Sequence, residues 1–241
     1  MSYKLKISLS LTVFICFIFS LLLSRGFPLS FIISSVNPQT ELPLIIIDAG
    51  HGGIDPGAIS GEIFEKDINL EIAIKFRDFC QCFGYKTLMI RSEDVSIYDK
   101  STDGIHNKKV SDLKNRVKTA NSYDNAVLIS IHQNMYGESK YSGTQVFYGK
   151  NENSKILAGF IQSTVVDYLQ ADNKRQIKKG NGLFILENTE IPAVMVECGF
   201  MSNQEELKKL TDKTYQKDFS CALLVGILKY IEEQNGYGRK T

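Results

Sequence analysis

Cysteine is scarce in this chain and neither charge sign is in excess. The 241 residues hold five cysteines, Cys16, Cys80, Cys82, Cys198 and Cys221, an odd number with no CxxC motif and no paired spacing. That excludes a disulfide scaffold as the organising principle. Cys80 and Cys82 stand two apart on an expected helix and point in different directions, so the cysteines read as small apolar residues. Acidic residues are missing altogether from the first 40 positions, whose charges are Lys4, Lys6 and Arg25. Removing those three from the 28 basic residues leaves residues 41–241 a net charge of −2 against 27 acids. A nucleic-acid binder would carry a basic excess or a Lys/Arg stripe, so no nucleic-acid partner is expected and a neutral or mixed-charge substrate fits better. With 43% hydrophobic residues, 14 Phe and 11 Tyr, disorder and collagen-like classes are excluded, and about 200 residues suit one domain.

The N-terminal segment has a short basic start and then an uncharged apolar run from Ile7 to Leu23, 17 residues long. The run is long for a signal-peptide core and at the lower limit for a membrane span. Both readings stay open. Bulky residues at the −3 position of Leu22-Leu23-Ser24 and Ile33-Ser34-Ser35 favour an uncleaved anchor. A buried core helix would show a polar face, which the run lacks. Lys4 and Lys6 hold the start in the cytoplasm, so the body is expected outside, anchored to the membrane or secreted. The expected division is a signal peptide or anchor over 1–26, a linker over 27–41, a catalytic domain over 42–235 and a tail over 236–241.

In the body, apolar runs with β-branched residues alternate with amphipathic segments. Strands are expected at Leu44–Ile47, Tyr85–Ile90, Ala126–His132, Gly143–Tyr148, Gly182–Leu186 and Ala193–Glu197. Helices are expected at about 67–83, 112–123, 157–169 and 213–233, with 91–111 a polar loop. The fold class is α/β: one domain, a largely parallel mixed sheet of about six strands with helices on both faces. No repeat interrupts the body, and no wall-binding module is expected after the last helix.

Three residues able to bind metal or move protons end apolar strands: His51, His132 and Glu197. Open α/β sheets bind ligands at the carboxyl ends of their strands. Glu65 lies three residues before Ile68 and seven before Ile72, which puts its carboxylate on a buried helical stripe, where a lone charge is costly. Two His and a Glu at one rim are the ligand set of a catalytic zinc site with a position left for water, and Glu197 remains as general base. Each has a plainer reading. His51 could fill a glycine turn, His132 could be a surface imidazole, Glu65 could face the helix dipole with Glu62 its rival, and His106 is expected in solvent. Glu197 is hardest to dismiss, because a charge ending an apolar strand needs a partner. Gly50-His51-Gly52-Gly53 lacks both the GxGxxG spacing and a Gly-Lys-Ser/Thr sequence, which argues against nucleotide binding.

The segments Asp48-Ala49-Gly50-His51-Gly52-Gly53-Ile54-Asp55-Pro56-Gly57-Ala58, Glu65-Lys66-Asp67, Ser130-Ile131-His132-Gln133-Asn134 and Val196-Glu197-Cys198-Gly199-Phe200-Met201-Ser202-Asn203 resemble the zinc-dependent N-acetylmuramoyl-L-alanine amidases of the type-three amidase family. The resemblance spans about residues 44–233. It implies Zn²⁺ ligands at His51, Glu65 and His132, Glu197 as catalytic acid/base, and cleavage of the amide between N-acetylmuramic acid and L-alanine in peptidoglycan. Arg91, Arg116 and Asn121 look like family positions, with Arg91 and Asn134 candidates for contact with substrate or support of the site. Cys198 departs from the usual small or β-branched apolar residue.

The stretch 100–116 and the single short domain are similar to the spore-cortex, germination-specific branch, which implies muramic lactam formation. The segment between His132 and Gly180 is too short for the regulatory insertion of some division amidases. Two rivals are a zinc peptidase acting within the stem peptide and a non-catalytic peptidoglycan binder. A domain with net charge −2 and no wall-binding module is expected to depend on its anchor or on an extracytoplasmic lipoprotein partner to reach substrate.

Overall fold

The structure is a computed structural model that describes residues 41–237, and from Leu42 on they form one compact unit. The N-terminal hydrophobic segment and its linker lie outside the described residues. Among the described residues no helix is long and apolar enough to cross a membrane.

Strand β1 (Leu44–Ala49) leads through a small hairpin, β2 (Ile59–Ser60) and β3 (Ile63–Phe64), into helix α1 (Glu65–Cys82). Then follow β4 (Thr87–Met89), α2 (Ile105–Ala120), β5 (Ala126–Asn134), β6 (Gln145–Tyr148), α3 (Glu152–Leu169), β7 (Lys178–Lys179), α4 (Phe184–Asn188), β8 (Ala193–Phe200), α5 (Gln204–Thr211) and α6 (Lys213–Tyr237). The six-stranded sheet has the order β4-β1-β5-β8-β6-β7. Only the β6–β8 pairing is antiparallel. This is the mixed, mainly parallel α/β sheet expected.

Successive side chains of a strand point to opposite faces, and the central strands bury both. Ile45, Ile47, Ile129, Ile131, Val194 and Val196 face a core that also holds Phe76 of α1, Ile161 of α3 and Leu223 of α6. Ile46, Leu128, Ala193 and Met195 face the second core, closed by Val117 and Ala120 of α2 and Ile185 and Leu186 of α4. Continuing the alternation toward the carboxyl ends puts Asp48, Ser130, His132 and Glu197 on the second face, where the apolar ladder gives way to polar groups.

The buried Asp48 holds that transition together. Its carboxylate accepts from Arg116 Nη1 at 2.5 Å and from Ser130 Oγ at 2.7 Å. Arg116 is only 2% exposed, and it also pairs through Nε with Asp112 at 2.5 Å. Burial would raise the Asp48 pKa, but the Arg116 and His132 charges and the Ser130 and Arg116 hydrogen bonds outweigh it and hold the carboxyl below its ordinary value.

Two sequence expectations are corrected. Residues 182–186 do not form a strand: Gly182 takes φ +78 and the chain turns into helix α4, whose Ile185 and Leu186 enter the second core. A short apolar run satisfies either element, and here packing against α2 chose the helix. The sixth strand is the edge pair Lys178–Lys179 instead, two exposed lysines with no apolar signature. The polar loop is also shorter than expected, because α2 starts at Ile105 after Gly104; its first two turns are largely exposed, so the apolar periodicity begins only near Leu113. Helix α5 was not anticipated. It is capped by Asn203, whose side-chain oxygen accepts from Glu205 and Glu206 N–H. The four described cysteines are free, and Cys82 is exposed rather than packed.

Arg116→Ala leaves Asp48 charged and buried without its cation, so it should lower unfolding free energy by about 3–5 kcal/mol in denaturant titration. Because the folded Asp48 pKa is depressed, its stabilisation is complete above the unfolded pKa and disappears as pH falls through the folded value. The stability gap between wild type and Asp48→Asn should therefore narrow in acid.

Candidate metal centre and active site

Three elements that are distant in sequence bring His51, Glu65 and His132 together at the sheet rim. One ligand atom from each lies within 4.8 Å of the others, a grouping able to hold a metal ion. Glu65 opens α1 and is 4% exposed. Its Oε2 is 3.2 Å from His51 Nε2 and accepts from Ala58 N–H at 2.8 Å. Its Oε1 is 3.0 Å from His132 Nδ1 and accepts from Gln133 N–H and Asn69 Nδ2, each at 3.1 Å. Burial would raise the Glu65 pKa, but His132 and His51 outweigh it and hold the carboxyl far below the usual range. The rival Glu62 is exposed and stands outside the cluster.

The His51 loop is tightly built. His51 takes φ +61, the single non-glycine residue with positive φ among those described, a conformation that costs energy and persists where surroundings enforce it. Arg116 Nη2 donates to His51 O at 2.6 Å, and Asp55 Oδ2 lies 2.7 Å from His51 Nδ1, leaving Nε2 facing Glu65. Lys109 in turn pairs with Asp55 at 2.8 Å. A carboxylate on the far nitrogen is the usual support of a metal-binding imidazole. Burial alone would depress the His51 pKa; the hydrogen bonds and charges of Asp55 and Glu65 push it up to about 9.

Glycine is required twice here. A Cβ on Gly50 would stand 2.2 Å from His132 Cε1, and one on Gly57, at φ +67, would stand 2.6 Å from Glu65 Oε2.

His132 and Glu197 are direct neighbours across the parallel β5–β8 ladder. Each keeps a buried polar atom, His132 Nε2 and Glu197 Oε2, with no hydrogen-bond partner. Burial raises the Glu197 pKa against the pull of His132, to about 7. Two carboxylates in one site are thus driven apart: Glu65 stays ionised between imidazoles, while Glu197 is poised to gain or lose a proton. Two imidazoles, one ionised carboxylate and buried atoms without partners fit a divalent ion of borderline softness.

Arg91 sits behind the loop. Its guanidinium donates to Ala49 O, Glu93 O, Gly50 O and Lys66 O at 2.7–3.0 Å, so it braces the backbone beside His51 and is spent there rather than on substrate. Asn134 ends β5 with its side-chain amide bonded to no described residue. Asn121 ties the end of α2 to the connection before β8, through Asn188 O and Glu190 N–H, each at 2.9 Å. His106 is exposed, as expected. Asp48 and Asp55 escaped the sequence reading of the site, although a charge ending the apolar run of β1 is the same signal that singled out Glu197. A cleft of about 290 Å³ opens over the site, lined by His51, His132, Tyr98, Lys108, Phe184 and Met195 among others.

An α/β sheet whose rim carries a His-Glu-His group able to hold a metal ion, next to a buried glutamate whose pKa burial pushes up to about 7, has the make-up of a metal-assisted hydrolase. Residues 45–229 match the family model of N-acetylmuramoyl-L-alanine amidases, and the chain belongs to that family. It is an enzyme that cleaves the amide joining N-acetylmuramic acid to L-alanine in peptidoglycan. It is 35% identical to the germination-specific N-acetylmuramoyl-L-alanine amidase of Bacillus subtilis (strain 168), over 79% of this chain and 81% of that one. Among solved structures, it resembles the CwlD amidase from Clostridioides difficile in complex with the GerS lipoprotein, with 39% identity, TM-score 0.76, and 79% and 98% of the two chains covered. An N-acetylmuramoyl-L-alanine amidase from Clostridium difficile 630 matches with 30% identity, TM-score 0.70, and 80% and 98% covered. Neither the stem-peptide peptidase nor the non-catalytic binder gains support from these matches.

An ion held through His51 would displace the proton that the hydrogen bonds and charges of Asp55 and Glu65 favour on its ring. Affinity should therefore rise about tenfold per pH unit from pH 6.5 to 8.5, and competition with a chromophoric chelator at each pH measures it. A flat profile would mean that His51 is not protonated in the free protein or does not bind the ion.

Proposed function

We propose that His51, Glu65 and His132 hold Zn²⁺ and that Glu197 is the catalytic acid/base of the amidase reaction. The observation that carries this reading is the lateral pairing of Glu197 with His132, with Glu197 Oε2 buried and unpartnered beside the ion-binding group. When bound, the ion supplies Lewis acidity toward water and toward the lactyl carbonyl. Glu197 takes a proton from the attacking water and passes it to the nitrogen of L-alanine as the C–N bond breaks, so one water is consumed and a lactyl carboxylic acid and a free amine result. A pKa near 7 suits a group that must act in both directions. Asp55, backed by Lys109, keeps the His51 ring turned toward Glu65, and the Arg91 and Arg116 guanidinium groups hold the loop that carries it.

His51→Ala and His132→Ala should lose the metal together with activity, whereas Glu197→Gln should keep full metal content and lose at least about 10²-fold in kcat. Metal analysis paired with release of stem peptides from purified peptidoglycan distinguishes these roles. A metal-free Glu197→Gln protein would overturn the assignment.

The same reading extends to biology. We infer that the chain acts outside the cytoplasm, with residues 42–235 as catalytic domain and residues 1–26 as signal peptide or membrane anchor. There it prepares spore cortex for germination by exposing muramic acid for lactam formation, aided by an extracytoplasmic lipoprotein. The likeness to a germination-specific amidase and to an amidase complexed with a lipoprotein supports it. Spores of a deletion strain should lack muramic lactam and germinate poorly, and the tagged protein should sediment with membranes and copurify with a lipoprotein. Normal lactam levels would leave a general wall amidase as the better description.

A further inference from the structure

A second, smaller cleft of about 270 Å³ lies on the β6–β7 side of the site. It is lined by Asn134, Tyr136, Tyr141, Gln145, Arg175 and Lys178 among others, and no acidic side chain lines it. Its cations come from a basic segment containing Lys174, Arg175, Lys178 and Lys179. Arg175 is set in place: Nε donates to Ser142 O at 2.7 Å, and the guanidinium carbon lies 4.5 Å from the centroid of the Phe200 ring. Its two terminal nitrogens have no hydrogen-bond partner among the described residues. Lys178 stands opposite Phe147 on the edge strand β7, exposed and in no ion pair with a described residue. In the larger cleft, by contrast, Asp55 and Asp112 are present and engage Lys109 and Arg116. The acids nearest Arg175, Asp172, Glu205 and Glu206, line the adjoining groove rather than this cleft; a guanidinium held in place and in no ion pair with a described residue, with a lysine beside it, is a receptor for an anion, and its planar fork matches a carboxylate.

The register indicates which part of the substrate reaches this cleft. Gln145 pairs with Glu197 across β6–β8 and Asn134 pairs with Phe200 across β5–β8, so residues lining the small cleft are ladder neighbours of β8 at Glu197 and Phe200, whereas the larger cleft is lined by His51 and His132. Glu197 protonates the departing nitrogen, so the peptide must lead away from Glu197. In peptidoglycan the residue after L-alanine is an acid, D-glutamate.

We propose that Arg175 and Lys178 form the subsite for the carboxylate of that second stem-peptide residue. Tyr136 and Tyr141, in edge-to-face contact at 4.9 Å, wall the cleft, and the free amide of Asn134 is available to the peptide backbone. The muramyl ring then occupies the His51 side. The inference rests on Glu197 acting as proton donor to the leaving amine.

The test separates binding from turnover. Binding of the product tripeptide L-alanyl-γ-D-glutamyl-L-lysine, whose second residue keeps a free α-carboxylate, and of its α-amide, L-alanyl-D-isoglutaminyl-L-lysine, is measured calorimetrically on the zinc-loaded full chain. The acid should bind roughly tenfold more tightly, and Lys178→Gln and Arg175→Gln should each erase most of that preference while leaving the amide within about twofold. Disaccharide-peptides carrying the free or amidated second residue should show the same preference in KM. Lys178→Gln is the cleaner variant, because Arg175 also braces the loop at Ser142; retained acid preference in Arg175→Lys and lost preference in Arg175→Gln would assign the effect to charge. Equal binding of acid and amide by wild type, or equal losses on both in the variants, overturns the subsite. A protein that binds the acid selectively yet releases no peptide from muramyl substrates would keep the subsite and overturn the amidase mechanism.

Discussion

Everything at the rim depends on keeping one carboxylate, that of Glu65, charged inside the protein. A buried charge without partners would be untenable. Glu65 therefore has backbone N–H groups from Ala58 and Gln133, the Asn69 amide and two imidazoles around it. Those partners come from the loop after β1, from α1 and from β5, so the charge stitches three elements together. The same contacts that stabilise the carboxylate bring His51 and His132 to ion-binding distance. Fold stability and site geometry are here one set of interactions.

The second constraint is steric and backbone in nature. Loop 49–57 must reverse sharply at the end of a fully buried strand and still aim the His51 ring inward. Arg116 and Arg91 accomplish this with charged donors on the carbonyls of Ala49, Gly50 and His51, while Gly50 and Gly57 leave room where any Cβ would overlap the site. Asp48 offsets the burial of Arg116. Placing these charges behind the loop leaves the exposed side of the site free for substrate.

Two clefts lie on either side of the β5–β8 strand ends, and their chemistry differs. The larger one is walled by Tyr98 and Phe184, and its Asp55 and Asp112 engage Lys109 and Arg116; the smaller is lined by Arg175 and Lys178, in no ion pair with a described residue, and by no acid. A substrate built of a neutral glycan and an acidic peptide joined at a single amide has the same asymmetry. The position of Glu197 on the strand nearer the smaller cleft gives that asymmetry a direction.

Much of this was legible without coordinates. Long apolar runs predicted β1, β5 and β8, because a central parallel strand buries both faces, and the polar residues ending those runs stood out for that reason. His51, His132 and Glu197 were found in this way, and Glu65 through its helical spacing to Ile68 and Ile72. Local sequence could not decide between strand and helix at 182–188, nor locate β7. Leu183 to Leu186 suits either conformation until α2 offers it a surface, and Lys178–Lys179 is a strand solely because β6 lies beside it. The composition, strand pattern and ends of the apolar runs thus determined the fold class and singled out polar residues that the fold brings to one rim, since burial and periodicity act locally along the chain. Tertiary structure decided which nitrogen of each imidazole faces Glu65, that Arg91 is committed to the backbone, that Asp48 and Asp55 support the site, and that Arg175 and Lys178 come together at the cleft on the β6–β7 side. Those depend on distances between segments remote in sequence, and only folding sets them.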